Sequence, residues 1–260
     1  MDQGPWTCLS VERDRAIAHL RLVRPELHNR FDELQHREFP QAVAALAGMD
    51  DLAAVLISAE GASFSAGGDT DMMLRANASA ELRERLREEA LAIVYGLLSL
   101  PCPVIAAVQG AAIGLGATVL GCCDIVVAAR DARIADPHVR LGLVAGDGGV
   151  LAWTQSVGSL RARRYLLTGD ALSAEQAFAM GLVSDLVDRP EEALPAAMVL
   201  AERVAALPRG GVRGTKQAFA RLSRDLFGAA FERSLDAEMQ TLAGTELRAA
   251  LEALHRRKGG

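Results

Sequence analysis

The chain has 260 residues, enough for one large domain or for a domain with an appendage. Hydrophobic residues make up 50% of it, which is ample for a large core. The formal net charge of −5 implies no general attraction to nucleic acid, so the composition excludes a protein that binds nucleic acid through its overall charge.

The cysteines and the N-terminus indicate whether the protein binds a metal and in which cellular compartment it works. The four cysteines show no C-x-x-C spacing and have no histidine partners nearby, so we expect reduced thiols and no metal site. The N-terminus has neither a basic start nor an apolar segment, which predicts that there is no signal peptide. Together these features predict a cytoplasmic protein.

The first part of the chain alternates predicted strands and helices. Partly alternating apolar residues predict a strand over residues 16–22, joined by a turn to a shorter strand over residues 8–12. Apolar residues on one face predict a helix over residues 31–47, and a short apolar run predicts a buried strand over residues 52–58. Residues 24–29 form a loop, because the residue before a proline is biased away from helix.

A glycine-rich junction between a strand and a helix follows at residues 60–73. Its centre is the pair Gly67 and Gly68, and either Asp69 or Thr70 is placed to cap the next helix. Two interpretations are open. The pair is either a plain tight turn or a place where a ligand approaches a backbone N–H.

The longest apolar stretch, residues 101–127, follows a helix that a single apolar stripe predicts over residues 81–99. It is long enough to span a bilayer, and residues 110–114 match the helix-dimer motif G-x-x-x-G. It also resembles the start of a dinucleotide-binding turn, but that fingerprint needs a glycine where Val119 stands. Since prolines and glycines interrupt a continuous span, we favour a third structure: a buried strand, a glycine turn and a buried helix.

In this third structure the helix starts at Leu115, and its first N–H groups have no partner within the helix. They point outward with the positive end of the helix dipole, and the glycines before them let a ligand approach. The junction is therefore a candidate site for a negatively charged oxygen. A second junction of this kind favours the ligand-binding interpretation at Gly68.

A third glycine-rich loop, residues 136–149, contains His138 and Asp147, two side-chain types that carry protons in enzymes. After the last predicted strand the chain is all helical. The predicted helices cover residues 191–207, 214–224, 227–242 and 246–257. We therefore predict an α/β core over residues 1–190 and a helical region over residues 191–260 that packs on another subunit.

Several segments, taken in this order, resemble the enoyl-CoA hydratase/isomerase family, also called the crotonase superfamily. They are RPELHN at residues 24–29, FSAGGD at 64–69, GAAIGLG at 110–116, CDI at 123–125, and the segments at 167–169, 174–177 and 181–183. The resemblance covers about residues 8–257. The combination and order of the segments are specific, although each segment alone is not.

The resemblance implies an α/β fold built as a spiral of β-β-α units, with a helical C-terminal region used to form a homotrimer or a homohexamer. It implies an acyl-CoA thioester as substrate and no metal or redox cofactor. It assigns the N–H groups of Gly68 and Leu115 as donors to the thioester oxygen, which makes the α-carbon acidic and the β-carbon electrophilic. The residues it places at the substrate and CoA site are Glu26, Leu27, His28, Ala66, Gly68, Asp69, Thr70, Leu115 and Thr118.

Two glutamates that hold water in typical hydratases of the family have no counterpart here. By position they fall on Thr118 and His138, and neither is a carboxylate. Some isomerases of the family have an acidic residue just before a glycine pair, where Asp147 stands. Asp147 is therefore the leading acid/base candidate, with His138 as the second. The structural alternatives are a turn aspartate bonded to its own backbone and a loop histidine without a catalytic role.

We therefore expect an acyl-CoA enzyme that hydrates or isomerises an enoyl-CoA. A single proton carrier suits double-bond migration, whereas the missing glutamates weaken the case for hydration by the standard mechanism. Hydrolysis or decarboxylation of a related thioester stays open, because the same oxyanion hole serves each reaction. A non-catalytic acyl-CoA-binding paralogue is the alternative from another class. We expect neither nucleic acid nor a membrane as a partner.

Overall fold

The computed structural model describes residues 6–258, so residues 1–5, on which the interpretation of the N-terminus partly depends, lie outside it. The strands are β1 (Leu9–Asp14), β2 (Ile17–Leu22), β3 (Ala54–Ala59), β4 (Val104–Val108), β5 (Ala111–Ile113), β6 (Ile125–Ala129), β7 (Arg133–Ala135), β8 (Leu172–Ser173) and β9 (Asp185–Val187). They form a six-stranded sheet in the order β1-β2-β3-β4-β6-β9 and a three-stranded sheet in the order β5-β7-β8.

Helices connect and cover these strands. They are α1 (Glu33–Ala47), α2 (Thr70–Ala78), α3 (Ala80–Ser99), α4 (Leu115–Gly121), α5 (Gly149–Val157), α6 (Ser159–Leu166), α7 (Ala174–Met180), α8 (Pro190–Ala205), α9 (Arg209–Leu242) and α10 (Thr245–Lys258). In the large sheet β1 and β2 form an antiparallel hairpin, and the later neighbours pair in parallel. Parallel neighbours need crossover connections, which these helices supply.

Both faces of the large sheet are buried. One face packs against α8, whose small side chains Ala193, Ala197 and Ala201 lie against Ile17 and its neighbours. The other face packs on the main core, which includes residues of α1 and α3. Strands buried on both faces read as apolar runs. This explains why the alternation over residues 16–22 is incomplete: Ile17 and His19 are buried as well.

The apolar stretch at residues 101–127 folds as β4, β5, α4 and the first part of β6. The strand–turn–helix prediction is therefore confirmed, and the single membrane-spanning helix is wrong for this stretch. One detail differs, because residues 111–113 form β5 and pair with β7 where a turn was expected. Within residues 6–258, no helix combines the length and the apolar character that crossing a bilayer requires.

The chain after β9 is helical, as predicted, but two of the expected helices are one. Segments 214–224 and 227–242 both belong to α9, and neither glycine nor proline stands between them. The apolar pattern changes there because the first half of α9 leaves the core. Leu226 is 62% exposed, whereas Leu235 is fully buried. The division into a core and an oligomerisation region stays a prediction.

Candidate active site

The two glycine junctions lie against each other. The Ser65 N–H donates to the Ala111 carbonyl at 2.8 Å, and the Ser65 carbonyl accepts from the Ile113 N–H at 3.0 Å. Gly67 has a φ of +82°, and a Cβ atom there would lie 2.7 Å from the Ile113 carbonyl oxygen. A Cβ atom on Gly116 would lie 2.8 Å from the Ser65 Cβ. The close approach of the two backbones therefore requires glycine.

This contact brings together the two backbone N–H groups predicted as oxyanion donors. Within residues 6–258, the N–H groups of Gly68 and Leu115 donate no hydrogen bond to the protein. Leu115 is the first residue of α4, and the N-cap Gly114, with a φ of 53°, offers no side chain to cap it. Gly68 and Leu115 both line one cavity. Both N–H groups are therefore available to a ligand at this contact.

The loop at residues 24–29 is fixed to the first junction by Asn29. The Asn29 side-chain amide donates to the Ser63 carbonyl at 2.9 Å, and the Ala66 N–H donates to the His28 carbonyl at 2.9 Å. These bonds place predicted CoA-site residues of the two loops side by side at the surface. Glu26, His28 and Ala66 are exposed, and Leu27 is half-buried. Their contact with CoA stays a prediction.

Two other predicted substrate residues hold the first junction in place. Asp69 is the N-cap of α2 and accepts from the Met72 N–H at 2.7 Å. Its second oxygen lies 2.9 Å from Arg30 Nε, and the carboxylate is buried. Thr70 is the first residue of α2 and is half-buried. Neither Asp69 nor Thr70 is among the residues that line the cavity next to Gly68, and their contact with a substrate stays a prediction.

A buried acid/base cluster forms around His138. Its Nδ1 is hydrogen-bonded to Asp136 Oδ1, which orients the ring, and its Nε2 lies 3.7 Å from Asp147 Oδ2. The other oxygen of Asp147 accepts a hydrogen bond of 3.2 Å from the Thr118 hydroxyl. Thr118 is hydrogen-bonded to Asp147 and is not among the residues that line the cavity, and its contact with a substrate stays a prediction. The two acid/base candidates are thus adjacent and buried.

Glu238 on α9 completes this cluster and was not anticipated. Its Oε1 lies 3.7 Å from His138 Nε2, and the residue is 7% exposed. The sequence does carry a signal for it. Phe231, Leu235 and Leu242 form the buried stripe of α9, and Glu238 lies on this stripe, where an apolar residue is expected. A carboxyl group on a buried helix face is a candidate functional residue.

Burial and mutual charge shift the pKa values of the cluster. Desolvation lowers the pKa of His138, but Asp136, Asp147 and Glu238 together outweigh it and hold that pKa well above its ordinary value. Desolvation raises the pKa of Asp147, against the opposing charge of His138. Desolvation also raises the pKa of Glu238, to about 8. An imidazolium therefore faces carboxyl groups that bind protons more readily than usual, as suits general acid–base catalysis.

A cavity of about 50 Å³ connects the oxyanion donors to this cluster. Gly68 and Leu115 line it together with His138, Asp147 and Glu238. Most of the remaining lining is apolar and includes Met72, Met73, Leu86, Leu143, Met239 and Leu242. The sequence-predicted catalytic residues thus line one cavity together, among largely apolar side chains.

Three residues of the cluster also have the types and spacing of metal ligands. Atoms of Asp136, His138 and Asp147 lie within 4.8 Å of one another. However, His138 Nδ1 already has a hydrogen bond with Asp136, so a cation at this nitrogen would replace that bond. The absence of a resident metal stays a prediction.

Comparison with known proteins places the chain in a family. The sequence profile described as enoyl-CoA hydratase/isomerase matches residues 12–258. A crotonyl-CoA hydratase of Syntrophomonas wolfei subsp. wolfei is 34% identical over 80% of this chain and 79% of its own. A 1,2-epoxyphenylacetyl-CoA isomerase of Escherichia coli is 32% identical over 89% of this chain and 88% of its own.

Solved structures agree with this match. The crystal structure of an enoyl-CoA hydratase/isomerase from Mycobacterium paratuberculosis has a TM-score of 0.92 and 32% identity, and the alignment covers 96% of this chain and all of the other. This likeness confirms the predicted fold, and the profile match extends over both junctions and the acid/base cluster. The chain therefore belongs to the enoyl-CoA hydratase/isomerase family.

Proposed function

We propose that the protein acts on an enoyl-CoA thioester, through an enolate held by the N–H groups of Gly68 and Leu115. One observation carries this proposal: both donors and the acid/base groups line the same cavity. The relatives named above, a crotonyl-CoA hydratase and a CoA-thioester isomerase, support the same substrate class. No metal or redox cofactor has a role in this chemistry.

The thioester oxygen accepts both backbone hydrogen bonds, and negative charge collects on it as the α-proton leaves. One donor of this kind typically contributes about 3 kcal/mol to the barrier. Asp147 is the base that removes the α-proton, because it lines the cavity and is held by Thr118, a residue of the helix that begins at Leu115. His138 Nε2, 3.7 Å from Asp147, supports this proton transfer.

Double-bond migration is the reaction that this site supports best. Migration only relocates a proton, and the chamber beside Asp147 is largely apolar, as a hydrocarbon acyl chain requires. Hydration is the second candidate, and a specific observation favours it. Asp147 and Glu238 are two carboxyl groups that both lie 3.7 Å from His138 Nε2, so they could hold a water molecule in place of the missing glutamate pair.

The proposed enzyme is a cytoplasmic homotrimer or homohexamer whose subunits meet through the C-terminal helical region. Exposed apolar side chains on the first half of α9 support this role. They are Phe219, Leu222 and Leu226. Light scattering of the purified protein tests the assembly: a mass of three or six chains is expected, and a monomer contradicts it.

The reaction is tested by mixing the purified protein with 2-enoyl-CoA and 3-enoyl-CoA thioesters in deuterated water, followed by mass spectrometry. Deuterium uptake with migration of the double bond, without added water, supports the isomerase. A gain in the mass of water shows hydration. Release of free CoA or of carbon dioxide would instead show hydrolysis or decarboxylation. CoA binding without any reaction would support the non-catalytic alternative.

A further inference from the structure

Glu238 is a buried carboxyl group to which the double-bond migration described above assigns no role. Its Oε1 faces His138 Nε2 at 3.7 Å, and its Oε2 has no hydrogen-bond partner among the described residues. It lines the cavity that also contains the oxyanion donors. A carboxyl group that is buried without full hydrogen bonding lowers the stability of the folded protein, so we expect a functional reason for its presence.

The surrounding backbone is shaped to bring Glu238 to this place. A Cβ atom on Gly146 would lie 2.2 Å from the Ser234 carbonyl oxygen and 2.8 Å from the Glu238 Cβ. The third loop therefore approaches α9 closely only because position 146 is glycine. The Val144 N–H donates to the Thr241 hydroxyl at 3.2 Å and fastens the same loop to α9.

Asp147 and Glu238 face the cavity from different elements. Asp147 is bonded to Thr118 on α4, the helix that begins at the oxyanion donor Leu115. Glu238 comes from α9 together with Met239 and Leu242, which belong to the apolar lining. In the proposed reaction, Asp147 then acts at the thioester end of the substrate, and Glu238 acts at its acyl chain.

Building on the proposed function, we propose that Glu238 is the second proton carrier of a double-bond migration, and that His138 Nε2 passes protons between it and Asp147. Asp147 removes the α-proton, and the C–H electron pair forms the dienolate. Glu238, as a carboxylic acid, donates its proton to the γ-carbon, and the double bond moves into conjugation. The imidazolium then donates its Nε2 proton to Glu238 and accepts the proton from Asp147, which restores the starting state.

The charges that face Glu238 are compatible with this role. His138 and Asp147 approach it from the third loop, and Asp136 lies behind His138. His36 on α1 lines the same cavity. Desolvation raises the pKa of Glu238 to about 8, so the group holds a proton near neutral pH and can donate it. Nε2 lies 3.7 Å from each carboxyl group, so it is equally near to both, and a proton transfer to either needs the side chains to approach to hydrogen-bond distance.

The test separates the two proton transfers in the variant Glu238→Gln. A 3-enoyl-CoA in deuterated water reports α-proton exchange and double-bond migration separately. We expect migration to fall by about 100-fold or more, while α-proton exchange, which does not use Glu238, stays within about threefold of the wild type. The matched control is Glu232→Gln, an exposed glutamate on the same helix, which should leave both rates unchanged.

A purely structural role would give a different result. Glu238→Gln would then lower both rates together, or neither, and this overturns the inference. As a second variant, Glu238→Ala leaves space in the cavity, and added acetate should restore migration only if the missing carboxyl group carried a proton. Failure of acetate to restore migration in a folded Glu238→Ala protein also overturns the inference. A wild-type protein without exchange or migration on any enoyl-CoA overturns the proposed function as well.

Discussion

The two halves of the candidate site are built in different ways. The oxyanion half consists of two main-chain N–H groups, and the conformations of Gly67 and Gly114 place them. The acid/base half consists of the side chains of Asp136, His138, Asp147 and Glu238. Main-chain donors depend on backbone shape and tolerate most changes of side chain. A side-chain cluster, in contrast, changes its chemistry with each substitution.

This difference has a consequence for function. The polarised thioester is common to hydration, migration, hydrolysis and decarboxylation, because each one passes through negative charge on the same oxygen. The groups that supply or remove protons decide between these outcomes. Under the proposed function, the buried cluster decides which reaction follows, and substitutions in the two halves should therefore have separable effects.

The largest effect is expected for Asp147→Asn, which keeps the shape of the side chain but removes the base. Turnover of the reactive enoyl-CoA should fall by about 10³-fold, because general acid–base groups contribute roughly 10²–10⁴. Binding of CoA, measured by calorimetry, should persist because the surface loops are unchanged. The control is Asp71→Asn, an exposed aspartate in the first turn of α2. Unchanged turnover in Asp147→Asn would remove this residue from the mechanism.

A smaller effect is expected in the oxyanion half for Gly67→Ala. The added Cβ would lie 2.7 Å from the Ile113 carbonyl oxygen, at a φ of +82°, so the first junction must move. Loss of one aligned donor should lower kcat by about 10²-fold, and the strained backbone should lower the free energy of unfolding by about 1–3 kcal/mol. Gly210→Ala is the control, because no atom lies within 4 Å of its added Cβ.

Migration and α-proton exchange should both fall in Gly67→Ala, because both pass through the enolate. This pattern differs from that expected for Glu238→Gln, in which exchange persists. An alanine variant with normal kinetics would show that the backbone contact at Gly67 does not position a catalytic donor.

The oxyanion half could be predicted from the sequence because its signals are local. Gly67, Gly68 and Gly114 each lie within a few residues of a recognisable strand or helix, and the unpaired N–H groups follow from the start of a helix. For the same reason the alternation of strands and helices in the first part of the chain was predicted, although β5 and the continuity of α9 were not. What the sequence did not define is which face of a strand is covered, as the unexpected burial of His19 illustrates.

The acid/base half was only partly predictable because it joins distant parts of the chain. His138 and Asp147 share one loop and were found by their residue types. Glu238 is a hundred residues further on, in a helix whose apparent role was assembly, and its place in the site depends on the packing of α9 against Gly146. The function of Thr118 also depends on packing, since its partner Asp147 belongs to another element. Contacts of this kind require the folded chain.

A third effect, on stability and its pH dependence and confined to the acid/base half, is expected for Asp136→Asn. In the wild type, neighbouring carboxylates raise the pKa of His138 well above 6.5. A raised histidine pKa stabilises the fold fully below the unfolded value of about 6.5, and this stabilisation is lost as the pH rises through the folded value. Asp136→Asn should therefore destabilise the protein most near pH 6, by about 3 kcal/mol, and progressively less toward pH 9.

Urea unfolding from about pH 5 to pH 9 measures this dependence. Asp170→Asn is the control, because Asp170 pairs at the surface with Arg140 and Arg164 instead of with a buried histidine. Its effect on stability should be small and constant with pH. If the destabilisation caused by Asp136→Asn is also constant with pH, the His138 imidazolium does not depend on Asp136. The acid/base half then works without an oriented histidine. A destabilisation that changes with pH only in Asp136→Asn would instead show that the buried ion pair keeps Nε2 protonated and directed at Asp147 and Glu238.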